Sequence, residues 1–243
     1  YISSQNRLAQ EDMFQAVYYF ESDSLVKALN GDGNNYGFLE IIDEYNYTKA
    51  ANMSNYYAGV SYLKLKDYDN AINYLKSFSS NDELIQARSY SLIGDAYTEL
   101  EDYQNAITFF KKAVNYNPNE FFTPNYLLKL ALVYEELGNL NEAISVYKKA
   151  IKINPRHTNS NYNLGLAFYK LGNLKDAKIY LEKTVEVQKN YAIAFIMLGN
   201  VHVDLKELKS AVSCYQKAIE INPKKLRAHN NVGLVYRDIN DLN

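Results

Sequence analysis

Small and ring-bearing apolar residues recur along this chain at a fixed long period. One small residue returns at Gly59, Gly94, Ala131, Gly165, Gly199 and Gly233, in steps of 35, 37, 34, 34 and 34 residues. Three residues after each stands a ring: Tyr62, Tyr97, Tyr134, Phe168, His202 and Tyr236. Twelve residues after the small one comes Ala71, Ala106, Ala143, Ala177 or Ala211. Four further on is Leu75, Phe110, Tyr147, Leu181 or Tyr215. The first pair of positions is one stripe of a helix with about 3.6 residues per turn, and the second pair is a stripe on a second helix. Gly138–Asn139 and Gly172–Asn173 lie between them and suit a left-handed helix end followed by a new start. Asn117–Pro118, Asn154–Pro155 and Asn222–Pro223 punctuate the junctions, because proline cannot continue a helix. One helix pair cannot bury its stripe alone, so pairs must stack.

The pattern predicts an all-α protein without strands. Five complete units start near residues 52, 87, 124, 158 and 192, and a sixth from 226 stops where its second helix would begin. The junction "NPNEFFTPN" carries three extra residues, and Lys189 stands where other junctions have proline. A last helix with an uncovered apolar face is a candidate surface for self-association.

Residues 1–50 are less regular. Leu8, Phe14, Val17, Tyr18 and Phe20 are expected on one inward face of a first helix, and Phe38, Leu39, Ile42 and Tyr45 on a second. The stretch "LNGDGNNYGF" swells the connection. Ser24 and Gly31 would start and stop a short helix within it. A calcium-loop register begun at Asp32 places Asn34 third, Gly37 sixth and Asp43 twelfth, but Tyr36 takes the fifth place and the twelfth should be glutamate. Phosphate-loop spacing is absent. The reading is an interhelical turn, with a weak cation site as the alternative.

The 34-residue unit with Gly, Tyr, Ala, aromatic, Ala and Pro at set positions resembles the tetratricopeptide repeat (TPR), over residues 51–243. The resemblance implies a right-handed α-solenoid, with residues 1–50 as an irregular N-terminal helical pair carrying an inserted loop. A narrower likeness covers residues 8–137: "ALNGDGNNYGFLEIIDEY", "LIGDAYTEL" and "FFTPNYLLKLALVYEEL" are similar to bacterial TPR proteins held by a single N-terminal membrane helix. That likeness implies a periplasmic domain with an anchor upstream of Tyr1; without it the expectation is a cytoplasmic protein. Tyr1 in place of Met fits a missing natural N-terminus.

Composition narrows the functions. Hydrophobic residues at 47% and charged residues at 22% describe a folded chain. A formal net charge of −2 argues against nucleic acid. The single cysteine, Cys214, excludes an internal disulfide. The three histidines, His157, His202 and His229, fall in different registers, and Cys214 has no basic neighbour in sequence. No catalytic or metal-ligand pattern emerges, so no cofactor and no enzymatic activity are expected.

What remains is a groove. With the small residue as position 8 of each unit, positions 2, 5, 9 and 12 share a face that lines the concave surface in TPR proteins. Here it carries Tyr56, Ser91 and Leu128 in earlier repeats, then Tyr162, Leu166, Tyr169, Ile193, Ile196, Asn200, Val203, Arg227, Asn230, Leu234 and Arg237. Asn163 and Asn231 occupy position 6, where asparagines of some TPR proteins hold a peptide backbone. The basic clamp that chaperone-binding TPR domains use for acidic C-termini is absent. The expected partner is a protein or peptide segment bound in the groove, with self-assembly through terminal repeats as the alternative. Partial burial of the Leu and Ile members is the competing reading of that face.

Overall fold

A computed structural model describes residues 2–240. The described residues form fourteen helices and no strand. Three come before the first repeat: α1 (Ile2–Glu21), α2 (Leu25–Asn30) and α3 (Phe38–Glu44). Five antiparallel pairs follow: α4 (Lys49–Lys64) with α5 (Tyr68–Ser77), α6 (Glu83–Glu99) with α7 (Tyr103–Asn115), and α8 (Thr123–Glu136) with α9 (Leu140–Ile153). Then come α10 (Thr158–Lys170) with α11 (Leu174–Val187), α12 (Ala192–Asp204) with α13 (Leu208–Ile221), and a single α14 (Leu226–Asn240). The chain divides into two compact units, one up to Pro118 and one from Asn119 onward. That division falls inside the junction with the three extra residues.

Each pair closes by the same device. The alanines at the second-helix stripe, Ala71, Ala106, Ala143, Ala177 and Ala211, have no exposed surface. A large side chain one turn later fits over the small position of the first helix. A Cβ added at Gly59, Gly94, Gly165 or Gly199 would lie 2.5, 2.7, 2.8 or 2.5 Å from Leu75, Phe110, Leu181 or Tyr215 respectively. Beside this notch, rings stack in three pairs: Tyr62 on Tyr74, Tyr97 on Phe109 and Phe168 on Tyr180, with centroids 5.4, 5.6 and 5.7 Å apart.

The turns are also the same in all five pairs. The residue seven after the small one is left-handed each time: Lys66, Glu101, Gly138, Gly172 and Lys206, with φ of 63°, 57°, 72°, 73° and 62°. The next residue's N–H then reaches back to the carbonyl of the ring residue, as from Asp67 to Tyr62 or Asn173 to Phe168, both at 2.9 Å. Glycine at two of these turns was visible in the sequence; the same geometry at Lys66, Glu101 and Lys206 was not.

The N-terminal segment departs from expectation on one helix. Leu8, Phe14 and Tyr18 of α1 are exposed, Phe14 by 75%. Val17 and Phe20 do face inward as expected, and Ala9, Met13 and Ala16 complete that face. Both lines have helical spacing, but neighbouring helices approach closely enough that only the line with alanines fits. Phe38 and Ile41 of α3 are fully buried, with Leu39, Ile42 and Tyr45 packed against them. Ala58 and Tyr57 of α4 join the same cluster, so the segment before the first repeat shares that repeat's core.

The connecting loop is a self-satisfied turn. Gly31 ends α2 at φ 76°, while Ser24 sits at its start without a capping side-chain bond. Asp32 Oδ1 accepts the N–H groups of Asn34 and Asn35 at 2.9 and 2.8 Å, and Oδ2 accepts the Tyr19 hydroxyl at 2.7 Å. These donors hold the carboxyl below its ordinary range, the Tyr19 hydroxyl most of all. They also occupy the oxygens a cation would need.

Candidate functional site

The groove face can be followed within the second unit, from α8 to α14. Its fifth position is not uniformly open. Ile196 is 4% exposed and joins a core cluster with Ala228 and Val235 of α14. The next repeat's first helix covers it, so Ile196 is a packing residue and leaves the set of groove contacts. Tyr56 and Ser91 are buried at the same position in the first unit. Asn230, the sixth-repeat equivalent, is exposed, as are Ile193, Arg227 and Leu234. Tyr162, Asn163, Leu166, Tyr169, Asn200 and Asn231 are half-buried. The Tyr162 ring lies 5.2 Å from that of Tyr191, and burial raises its hydroxyl pKa.

Tyr169, Asn200, Asn231 and Leu234 come together in one cleft of about 330 Å³. Val203 and Arg237 complete the part expected from the face pattern. Tyr215, Val235, Asp204 and Asp238 also line it and were not foreseen there. Tyr215 explains how a packing residue reaches the groove. Its ring crosses the first helix at Gly199, where a β-carbon would collide, and its hydroxyl emerges on the far side. There it donates to Asn200 Oδ1 at 2.8 Å. Burial pushes the Tyr215 hydroxyl up to about 12, keeping it a donor. Asn231 Nδ2 donates to the same oxygen at 3.0 Å. Asn200 therefore has a filled acceptor and an amide whose remaining contact is the weak acceptor Met197 Sδ, 3.7 Å away. Tyr147 does the same in the third repeat, donating to Glu135 Oε1 at 2.7 Å. A tyrosine sixteen residues after the small one was the available signal: it is a core ring with a groove hydroxyl.

The three histidines and Cys214 lie apart from this cleft. His202 fills its ring slot at 6% exposure and sits 2.5 Å from Glu207 Oε2, which also takes Lys178 Nζ at 2.7 Å. Those two partners lower the Glu207 pKa, Lys178 first. His157 starts α10, bridging Ser160 at 2.8 Å and Asn125 at 3.2 Å, and burial lowers its pKa. His229 is exposed and donates from Nε2 to the Pro223 carbonyl. Burial raises the Cys214 thiol to about 11, which disfavours the thiolate at neutral pH. Among the described residues no three His, Cys, Asp or Glu side chains form a metal-sized group, and no helix is long and apolar enough to cross a membrane.

The helix-pair register agrees with known sequence families. The pattern described as "TPR repeat" matches residues 131–172 and 199–238, and two described as "Tetratricopeptide repeat" match 87–120 with 158–191 and 54–82. The chain belongs to the tetratricopeptide repeat family. No curated protein sequence matches it. Solved TPR structures do. MamA is 30% identical over 61% of this chain and 85% of its own, with a TM-score of 0.56. MamA 41-end from Desulfovibrio magneticus RS-1 is 23% identical over 67% and 89%, at 0.57. YrrB, a TPR protein with an unusual peptide-binding site, is 20% identical over 79% and 96%, at 0.60. The last two likenesses concern the fold alone.

Proposed function

We infer that this TPR scaffold works by seating a peptide segment of a partner protein along the groove of its last three repeats. The observation that carries the reading is the cleft between α12 and α14, where a pre-ordered asparagine pair faces an apolar wall. Asn200 offers amide hydrogens and Asn231 keeps a carbonyl oxygen, the two groups needed to match a peptide unit regardless of its side chains. Val203, Leu234 and the Tyr169 ring supply contact area beside them. Tyr162, Leu166, Ile193 and Arg227 extend the surface along α10, α12 and α14. YrrB offers a precedent for peptide binding on this fold.

The test is selection of a random dodecapeptide pool on the folded chain. Peptides are expected to be enriched and to lose about tenfold in affinity when Asn200 becomes Ala, the loss of one hydrogen-bonding partner. Failure to enrich any peptide on folded protein would end this reading.

A second reading, self-association through α14, draws on a different observation. Leu226 and Tyr236 are exposed large apolar side chains of α14. Light scattering separates the two: a monomer at all concentrations removes assembly and leaves the groove.

A further inference from the structure

The groove changes its charge balance along the second unit. Glu135 of α8 and Lys170 of α10 stand 35 residues apart and face each other, with Lys170 Nζ 2.6 Å from Glu135 Oε2. Glu135 Oε1 meanwhile accepts the Tyr147 hydroxyl. One repeat later the same 35-residue spacing joins Tyr169 to Asp204, and the tyrosine hydroxyl donates to Asp204 Oδ2 at 2.7 Å. No lysine or arginine of the described chain completes an ion pair with Asp204. Asp238 lines the same cleft one repeat further, and its neighbour Arg237 reaches it only at 3.8 Å. Two carboxylates and one guanidinium thus rim a cleft whose wall is Val203, Leu234 and Val235.

Resting on the peptide reading above, we propose that this cleft selects a partner segment carrying a lysine or arginine, whose charged head lies against Asp204 and Asp238. The chain contains its own pattern for the contact: in the Glu135 group a tyrosine hydroxyl orients a carboxylate and an amine takes the other oxygen. At Asp204 the hydroxyl and carboxylate are present and the amine is to come from outside. A long basic side chain suits the apolar wall, because its methylenes lie along it while the head stays at the rim. The Asn200–Asn231 pair holds the adjoining backbone. An acidic segment would meet two like charges at close range and be rejected.

The experiment uses peptides selected from the random dodecapeptide pool on the full chain. One position of the selected set is expected to be Lys or Arg. Changing it to Gln should weaken binding about tenfold, as loss of one charge-assisted hydrogen bond does. Asp204→Asn, which keeps the shape and the Tyr169 contact, should weaken the parent peptide equally and make the Lys→Gln change nearly silent. Asp238→Asn should produce a smaller loss of the same kind. Asp204 is exposed, so an unaltered circular dichroism melt is expected for its variant. Selected peptides without a basic consensus, or additive losses in the two changes, would overturn the basic-side-chain proposal while leaving peptide binding intact. Absence of any selected peptide would overturn both.

Discussion

In the repeats a glycine makes room for a side chain; in the N-terminal loop it makes room for backbone. Gly199 faces the Tyr215 ring, and Gly94 the Phe110 ring. A Cβ on Gly37 would instead stand 2.2 Å from the Leu29 carbonyl oxygen and 2.3 Å from the Gly31 nitrogen. A ring can tilt within its slot, but a backbone strand tied at both ends cannot. The repeat notch is therefore a graded fit, whereas the loop crossing is all or none.

The largest effect is expected at the crossing. Gly37→Ala should cost about 3 kcal/mol or more and disorder the α2–α3 connection, measured by denaturant unfolding. Gly199→Ala should cost about 1–3 kcal/mol, because the Tyr215 ring shifts while the helices stay paired. Equal costs at the two sites would erase the distinction. Smaller changes come from the left-handed turns, where backbone strain acts without any collision. Glu101→Gly should stabilise by about 1 kcal/mol, since a residue with a β-carbon pays for that conformation and glycine does not. Gly138→Ala should lose a similar amount, read as opposite shifts in melting temperature. Last is a pH effect confined to the loop. The Asp32 carboxyl titrates below its unfolded value, so its contribution is fully present above about pH 4 and lost as pH falls through the lower folded value. An NMR titration should show the Asn34 and Asn35 amides moving on that acid side, and Asp32→Asn should remove the movement.

The repeats were legible because each depends on a few positions at fixed spacing. Gly199 and Tyr215, or Gly94 and Phe110, announce each other across the turn. The left-handed turns at Lys66, Glu101 and Lys206 were hidden because stacking imposes a conformation their own chemistry resists. In α1 two apolar lines competed, and hydrophobicity alone favoured Phe14 and Tyr18. Steric room decided for Ala9 and Ala16. The groove was legible as a face but not as a cleft. Ile196 belongs to the face by spacing and to the core by the position of α14. Asp204 and Asp238 sit one residue beyond the twelfth position; Asp204 is drawn in by the Tyr169 hydroxyl of the preceding repeat, and Asp238 lines the same cleft. Nothing in a single repeat's sequence contains that neighbour.

The Tyr215 hydroxyl, emerging past Gly199 onto Asn200, places one atom of the packing interior on the cleft proposed to bind the partner. Three of the five pairs have Leu or Phe at that slot, filling the notch with no hydroxyl. A change from Tyr to Phe there leaves the fold's spacing intact yet frees an acceptor in the groove. If the proposed groove is the binding surface, partner preference is open to drift through substitutions that look conservative and lie on the opposite helix, with every residue of α12 unchanged.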